Sequence, residues 1–356
     1  MPTPDSDETL SSWIYRCSVY RRSKVCRLLR LEDRPLRWWD NLDLKYEDPD
    51  IDFATSVTRL ASAGIETTEG LLKAHFAMRS GKLVEWKYRR FYCPQCLTDD
   101  VTGGQLPRWR KSWCYEEASV CIQHRRRLDI LVDASRYSKA WDAFVQHCNS
   151  NAGRSVSDVE SGMKFSRLRS TTIALMTKRI CYGHGPRQDA TASLFSKLYQ
   201  IFLHAPFKGS RGGAARIHFH TQRRERFAES QTLEHSFMIG PSTADSSSRF
   251  GSMILAGALL GIITEARYLI LSRAHETVMF SSLLPADLHQ AAAFPHLDRR
   301  GYGAFHEFLG IVPRASYPLL DRHLHLQDQR YKSDGTSDGR SLGVRYAPEE
   351  SQKRRR

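Results

Sequence analysis

Cys93-Pro-Gln-Cys96 is followed further along the chain by Cys121-Ile-Gln-His124. Two pairs of soft and borderline donors, each spaced by two residues, can present four lone pairs to the corners of one tetrahedron, the arrangement structural zinc takes. Pro94 favours the tight turn that lets both sulfurs of the first pair face one ion. A shell of three thiolates and one imidazole leaves no open position for water, so the expected role of the Zn2+ is structural, with no catalytic residue. Two other readings of these residues fit less well. A thioredoxin-like redox pair would need a strand-helix context. A nucleobase deaminase would need His-x-Glu upstream and a proline directly before the first cysteine, whereas this chain reads His75-Phe-Ala77 and has Tyr92 before Cys93.

The residues flanking these ligands are strongly basic. Lys82, Lys87, Arg89 and Arg90 come before them, Arg108, Arg110 and Lys111 lie between the two pairs beside Trp109 and Trp113, and Arg125, Arg126 and Arg127 follow His124. The plainest reading is a solvated face. Clustering of cations and aromatics on a crosslinked knuckle favours contact with a phosphate backbone or an acidic protein surface.

Four segments in this order, Glu8-Thr-Leu-Ser-Ser-Trp-Ile-Tyr-Arg16, Tyr92-Cys-Pro-Gln-Cys-Leu-Thr-Asp-Asp100, Arg108-Trp-Arg-Lys-Ser-Trp113 and Val120-Cys-Ile-Gln-His124, resemble the TniQ/TnsD family. These are target-selection proteins of bacterial transposons, including CRISPR-associated ones. The resemblance covers about residues 7 to 135. It implies an adaptor that is not an enzyme. Such a protein marks a target, either a DNA site or a CRISPR effector complex with its guide RNA, and recruits an AAA+ transposition regulator of the TnsC/TniB type. Relatives that dock on guide complexes can be dimers, which leaves room for a homodimer here. One departure stands out: many relatives carry a second Cys-x-x-Cys knuckle directly after the Cys-x-x-His pair, but Leu128 to Asp133 contains no cysteine. His147 with Cys148 and Cys181 with His184 are the residues left for a degenerate second site.

The whole chain has 356 residues, 41% of them hydrophobic, enough for two or three domains with cores of their own. A formal net charge of +14 suits a polyanionic partner, nucleic acid or acidic protein. Eight cysteines, three of them in the zinc motif, and the absence of a signal peptide suggest a reducing cytoplasm, with nucleoid association when bound. The longest uncharged apolar run, Gly251 to Thr264, is too short to span a bilayer and reads as a core helix, so no membrane partner is expected.

The elements that must position the ligands read as mainly α. Residues 1–85 are expected to form a helical, helix-turn-helix-like part, 86–135 the zinc finger, 136–326 a C-terminal helical domain and 327–356 a disordered basic tail. Residues 1 to 6 should be disordered, an Asp5/Glu8 capping box should start an amphipathic helix over 7–21, and a second short helix should run from Lys24 to Leu31. Pro35 to Trp39 starts a further segment, and Glu47 to Asp52 is an acidic loop broken by Pro49. An apolar-Gly-Ile corner between helices occurs three times, at Gly64-Ile65, Gly261-Ile262 and Gly310-Ile311, with Thr68 (or Thr67) and Thr264 as the next N-caps and Pro313 opening the last helix. Such corners suit helix-turn-helix units that touch DNA, and each is common in any helical protein. Between them, Trp141–His147, Phe165–Arg179 and Leu194–Leu203 read as helices, Ser150–Gly162 and Pro241–Ser248 as linkers, Lys208–Gly213 as a flexible loop, and Ile217–His220 as a short strand followed by basic Arg223, Arg224 and Arg226. The expected function is target-site selection in transposition. The alternatives are a zinc-dependent nucleic-acid enzyme, which would need an open metal position, and a helix-turn-helix transcription regulator.

Overall fold

A computed structural model describes residues 2–29, 48–62, 66–134, 136–151, 186–204, 213–219, 237, 240, 244–278, 284–293, 299–310 and 314–333. The chain divides into two compact units, residues 1–163 and 164–356. Both are built mainly of helices, as expected.

The first unit contains helices α1 (Leu10–Leu29), α2 (Phe53–Ser62), α3 (Glu69–Phe76), α4 (Pro94–Thr102) and α5 (Lys139–Asn151). Its strands are two-residue pieces: β1 (Phe91–Tyr92) pairs antiparallel with β4 (Asp129–Ile130), and β2 (Val120–Cys121) with β3 (Arg126–Arg127). Leu10, Trp13, Ile14 and Cys17 recur at helical spacing on α1 and bury against Phe53 and Leu60 of α2 and Leu72 and Phe76 of α3. Thr68 caps α3, its hydroxyl accepting from the Leu71 amide. The corner at residues 63–65 lies outside the described residues.

The N-terminus departs from expectation. Residues 2–9 form a strap instead of a disordered lead: Trp13 Nε1 donates to the Pro2 carbonyl at 2.9 Å, and Arg16 donates to the Thr3 carbonyl at 2.8 Å. The strap also runs along the finger, with the Thr9 amide on the Trp109 carbonyl and the Lys111 amide on the Asp7 carbonyl. Asp5 and Glu8 do exchange bonds, but the helix starts two residues later, capped by Thr9 through the Ser12 amide. The two helices expected over 7–21 and 24–31 are one continuous helix, since nothing between them breaks the ladder.

The second unit holds α6 (Pro186–His204), α7 (Ala214–Phe219), α8 (Ser246–Leu259), α9 (Glu265–Val278), α10 (Leu288–Ala291), α11 (Arg299–Leu309) and α12 (Pro318–Ser333). All fourteen residues of α8 are buried, and α6, α7, α10 and α12 pack around it. Gly251 lets this happen: a Cβ there would fall 2.2 Å from the Phe219 ring of α7. Helix α8 ends as the sequence requires, with Gly261 at φ +69 and the Ile262 amide returning to the Gly257 carbonyl, after which the Thr264 hydroxyl caps α9. Gly310 likewise takes φ +74 after α11.

Three expectations for this half are corrected. Residues 217–219 belong to α7 and not to a strand; a three-residue alternation is too short to set a period of two against burial on α8. Asp245 caps α8 at Ser246, so 246–248 are helix and not linker. The expected tail begins inside α12, which continues to Ser333 because Leu320, Leu324 and Gln327 bury one face. The readings at 30–47, 152–185, 205–212, 220–236, 241–243, 311–313 and 334–356 fall outside the described residues.

The buried His289 ring of α10 stacks on His323 of α12, with centroids 5.8 Å apart and planes at 17°. Desolvation holds the imidazole below its ordinary value, opposed by Asp287 and Glu265 and aided by Arg322. The unfolded chain therefore takes up protons more readily than the folded one, and this share of stability is present above pH ~6.5 and lost as pH falls below it. Urea unfolding of the full chain should show stability falling between pH 7.5 and 5.5, and His289→Leu should flatten that slope; an unchanged slope would remove His289 as its source.

Candidate metal centre

Helix α4 carries the first ligand pair at its start. Cys93 is the N-cap, Pro94 takes the first helical position where its missing amide costs nothing, and Cys96 lies one turn on. The second pair sits on the β2–β3 hairpin, where Arg125 adopts φ +49 to close the turn and the His124 amide donates to the Cys121 sulfur at 3.4 Å. The four donor atoms, from Cys93, Cys96, Cys121 and His124, all lie within 4.8 Å of one another. His124 Nδ1 is 3.6, 3.2 and 3.6 Å from the sulfurs of Cys93, Cys96 and Cys121, and the Cys96 and Cys121 sulfurs are 3.6 Å apart. A tetrahedral ion with metal–sulfur bonds of about 2.3 Å and a metal–nitrogen bond of about 2.0 Å would need edges of about 3.5–3.8 Å, so the donor set fits a metal ion of that size. Hydrogen bonding to Cys121 pushes the Cys93 thiol up and the reciprocal bonds pull the Cys121 thiol down, as in a cluster whose sulfurs share their protons. The ligands rest on a core of Leu97, Trp109, Trp113 and Leu128.

Among the described residues no second cluster of ligands forms. His147 is half-buried and Cys148 exposed on α5, and Cys181 and His184 fall outside the described residues.

The basic residues divide into two sets. Arg89 turns inward, its side chain wholly buried, with Nη1 2.8 Å from Asp50, Nη2 on Asp48 and Nε on the Val84 carbonyl. Arg108 and Arg110 share Asp100 of α4 and reach Asp5 of the strap, Arg108 at 3.0 Å. Lys111 donates to the His75 carbonyl, Lys87 pairs with Glu85, and Arg126 with Asp129 at 3.5 Å. Arg125 and Arg127 are exposed on the hairpin, and Arg90 lies half-buried against the Phe91 ring. Trp109 and Trp113 are core residues meeting edge to face at 5.5 Å, so they do not interleave a cationic surface as the sequence suggested.

Several residues of the centre escaped sequence reasoning. Asp48 and Asp50 stand in the stretch read only as an acidic loop, yet they are the partners of Arg89, and burial pushes Asp48 above the usual carboxylate range against the pull of that guanidinium. Asp5, Asp7 and Asp100 tie the strap to the finger, Asp7 accepting from both the amide and hydroxyl of Ser112 at 3.0 and 2.7 Å. Lys139 of α5 is buried with its ammonium 3.6 Å from the Trp86 ring centroid and 3.2 Å from the Trp86 carbonyl, and desolvation pulls its pKa down to about 7. Lys139 and the packing of α5 on α4 place residues 139–151 with the finger, whereas the sequence put a boundary at 135/136. Asp99 of α4 also reaches the ligand shell, its Oδ2 lying 2.9 Å from His124 Nε2, and Gln95 donates to its Oδ1. An acidic loop and a basic knuckle in one chain were the available signal.

Residues 1–128 match the family model TniQ. Residues 1–128 thus carry a TniQ domain. The match takes in the strap, α1 to α4 and all four ligands, and it stops before α5 and the second unit. No curated protein and no solved structure matches the chain. The TniQ domain points to an adaptor role associated with transposons. No helix among the described residues is long and apolar enough to cross a membrane.

Two outcomes follow from this geometry. Cys121→Ser should release the bound metal, read by elemental analysis, and unfold the finger, read by loss of amide dispersion or protease resistance; retention of a full metal equivalent would refute the ligand set. Arg89→Met leaves Asp48 and Asp50 without their buried cation and should cost about 3–5 kcal/mol in urea unfolding. A loss below about 1 kcal/mol, the worth of a surface pair, would show the site to be solvated.

Proposed function

We propose that this protein is a target-selection adaptor in DNA transposition, linking a marked target to an AAA+ transposition regulator of the TnsC/TniB type and through it to the transposase. The observation that carries the reading is the TniQ match over the segment that folds the Cys3His centre. The metal is zinc, held structurally: three thiolates and an imidazole suit zinc, and a complete donor shell serves crosslinking and not hydrolysis. The cluster holds α4 against the β2–β3 hairpin, and α4 in turn anchors Arg108 and Arg110 on the N-terminal strap. On this reading the protein works by presenting surfaces and carries no chemistry of its own, and the target is either a DNA site or a CRISPR effector complex with its guide RNA.

The exposed or half-exposed cations at the finger that a polyanionic or acidic partner could meet include Arg125 and Arg127 of the hairpin, with Arg90 and Lys82 beside it, whereas Arg89, Arg108 and Arg110 face carboxylates of this chain. The α2–α3 pair, with its Thr68 cap, and the Gly261 corner of the second unit are the elements available for helix-turn-helix contacts to duplex DNA.

Copurification of the tagged full chain from cells carrying the neighbouring transposition genes tests the proposal. The regulator ATPase should copurify, together with a discrete guide RNA or a recurring duplex sequence. A protein that binds duplex DNA but never the ATPase would be a transcription regulator instead. In the same assay Arg125→Glu with Arg127→Glu should weaken capture in a salt-dependent manner, with a shallower slope of log affinity against log salt than the unaltered chain; equal capture at low salt would take the hairpin out of the interface.

A further inference from the structure

The His124 ring has two nitrogens and only one can bind the metal. Nδ1 faces the three sulfurs at 3.2–3.6 Å, and Nε2 points the other way, 2.9 Å from Asp99 Oδ2. Asp99 lies on α4, the helix whose N-cap is Cys93 and whose first turn holds Cys96. It is itself oriented by Gln95, which donates to Asp99 Oδ1 from its side-chain amide at 2.9 Å one turn earlier on the exposed face. The hairpin ligand is thus tied to the helix twice, through the metal position and through a carboxylate.

We infer that Asp99 is a positioning residue of the metal centre: it accepts the Nε2–H of His124, which leaves the Nδ1 lone pair as the one directed at the metal and holds the ring plane in the ligand tetrahedron. The inference rests on the zinc reading of the Cys3His cluster. Metal-bound imidazoles generally donate their second N–H to a carboxylate or carbonyl, and loss of that acceptor typically weakens metal binding 10–100-fold. An exposed carboxylate and imidazole pairing without a metal would contribute little. What separates the two cases here is that the same ring presents its other nitrogen to three sulfurs, while Gln95 holds the carboxylate in place.

Helix propensity makes the test one-directional. Alanine is the better helix former, so Asp99→Ala favours α4 itself while removing the acceptor. Zinc affinity of the purified full chain is measured by competition with a chromophoric chelator, for the unaltered protein, Asp99→Ala and Asp99→Asn. The expected result is one tight zinc in the unaltered chain, a 10–100-fold weaker site in Asp99→Ala, and partial rescue by Asp99→Asn, whose amide oxygen still accepts. Imidazole nitrogen NMR on the zinc-loaded unaltered chain should show the metal on Nδ1 and a slowly exchanging proton on Nε2. Affinity of Asp99→Ala within about threefold of the unaltered chain, below the range for a lost acceptor, would overturn the inference, as would metal on Nε2. Failure of Asp99→Ala to fold leaves the NMR assignment and Asp99→Asn to decide. An unaltered chain that binds no zinc at all would instead sink the metal reading, and this inference with it.

Discussion

Three cysteine sulfurs and an imidazole nitrogen within 4.8 Å of one another form a site suited to a metal ion, and the first unit is built outward from it. Helix α4 starts on this cluster, and its geometry fixes Asp100, one turn beyond Cys96. Asp100 is buried and takes both Arg108 and Arg110, which in turn reach Asp5 at the far N-terminus. A cluster of potential metal ligands from two short segments thus sits on the helix that carries a charge clamp over residues remote in sequence. The strap then leads into α1, whose apolar face completes the core with α2 and α3.

Buried charge is the second theme. Arg89 with Asp50 and the half-buried Asp48, Arg16 with Glu8, and Lys139 against Trp86 are largely removed from water and paired or stacked. Taking such groups out of water is costly, and breaking one partner costs more than the pair contributes, so these contacts set which arrangement forms more than how stable it is. The consequence for function is subtractive. A chain with a net charge of +14 offers a smaller cationic surface at its finger than its sequence suggests, because the arginines between the ligand pairs answer to its own carboxylates.

The legible features were those decided by near neighbours in sequence. The two ligand pairs, the burial of the run around Gly251, the left-handed glycines at 261 and 310 and the caps at Thr68 and Thr264 all follow from residues within one or two turns. The expected boundary at 135/136 falls between α4 and α5, which pack together in one unit, and the contact of Lys139 with Trp86 that ties α5 to the finger spans 53 positions and involves a residue type that is rarely buried. The short alternation at 217–220 was read as a strand, although 217–219 are helical, because period alone cannot weigh packing on α8.

By itself the sequence determined the ligand set, the helical character and the family resemblance, since each is a matter of residue type at fixed local spacing. Tertiary structure alone decided that residues 2–9 are a strap, that Trp109 and Trp113 are core, that Arg89, Arg108 and Arg110 are internal, and that Asp99 faces His124. The physical reason is the separation of the partners. Asp7 and Ser112 are 105 positions apart and Asp5 and Arg108 are 103 apart, and no local pattern tells a carboxylate which distant cation will desolvate beside it.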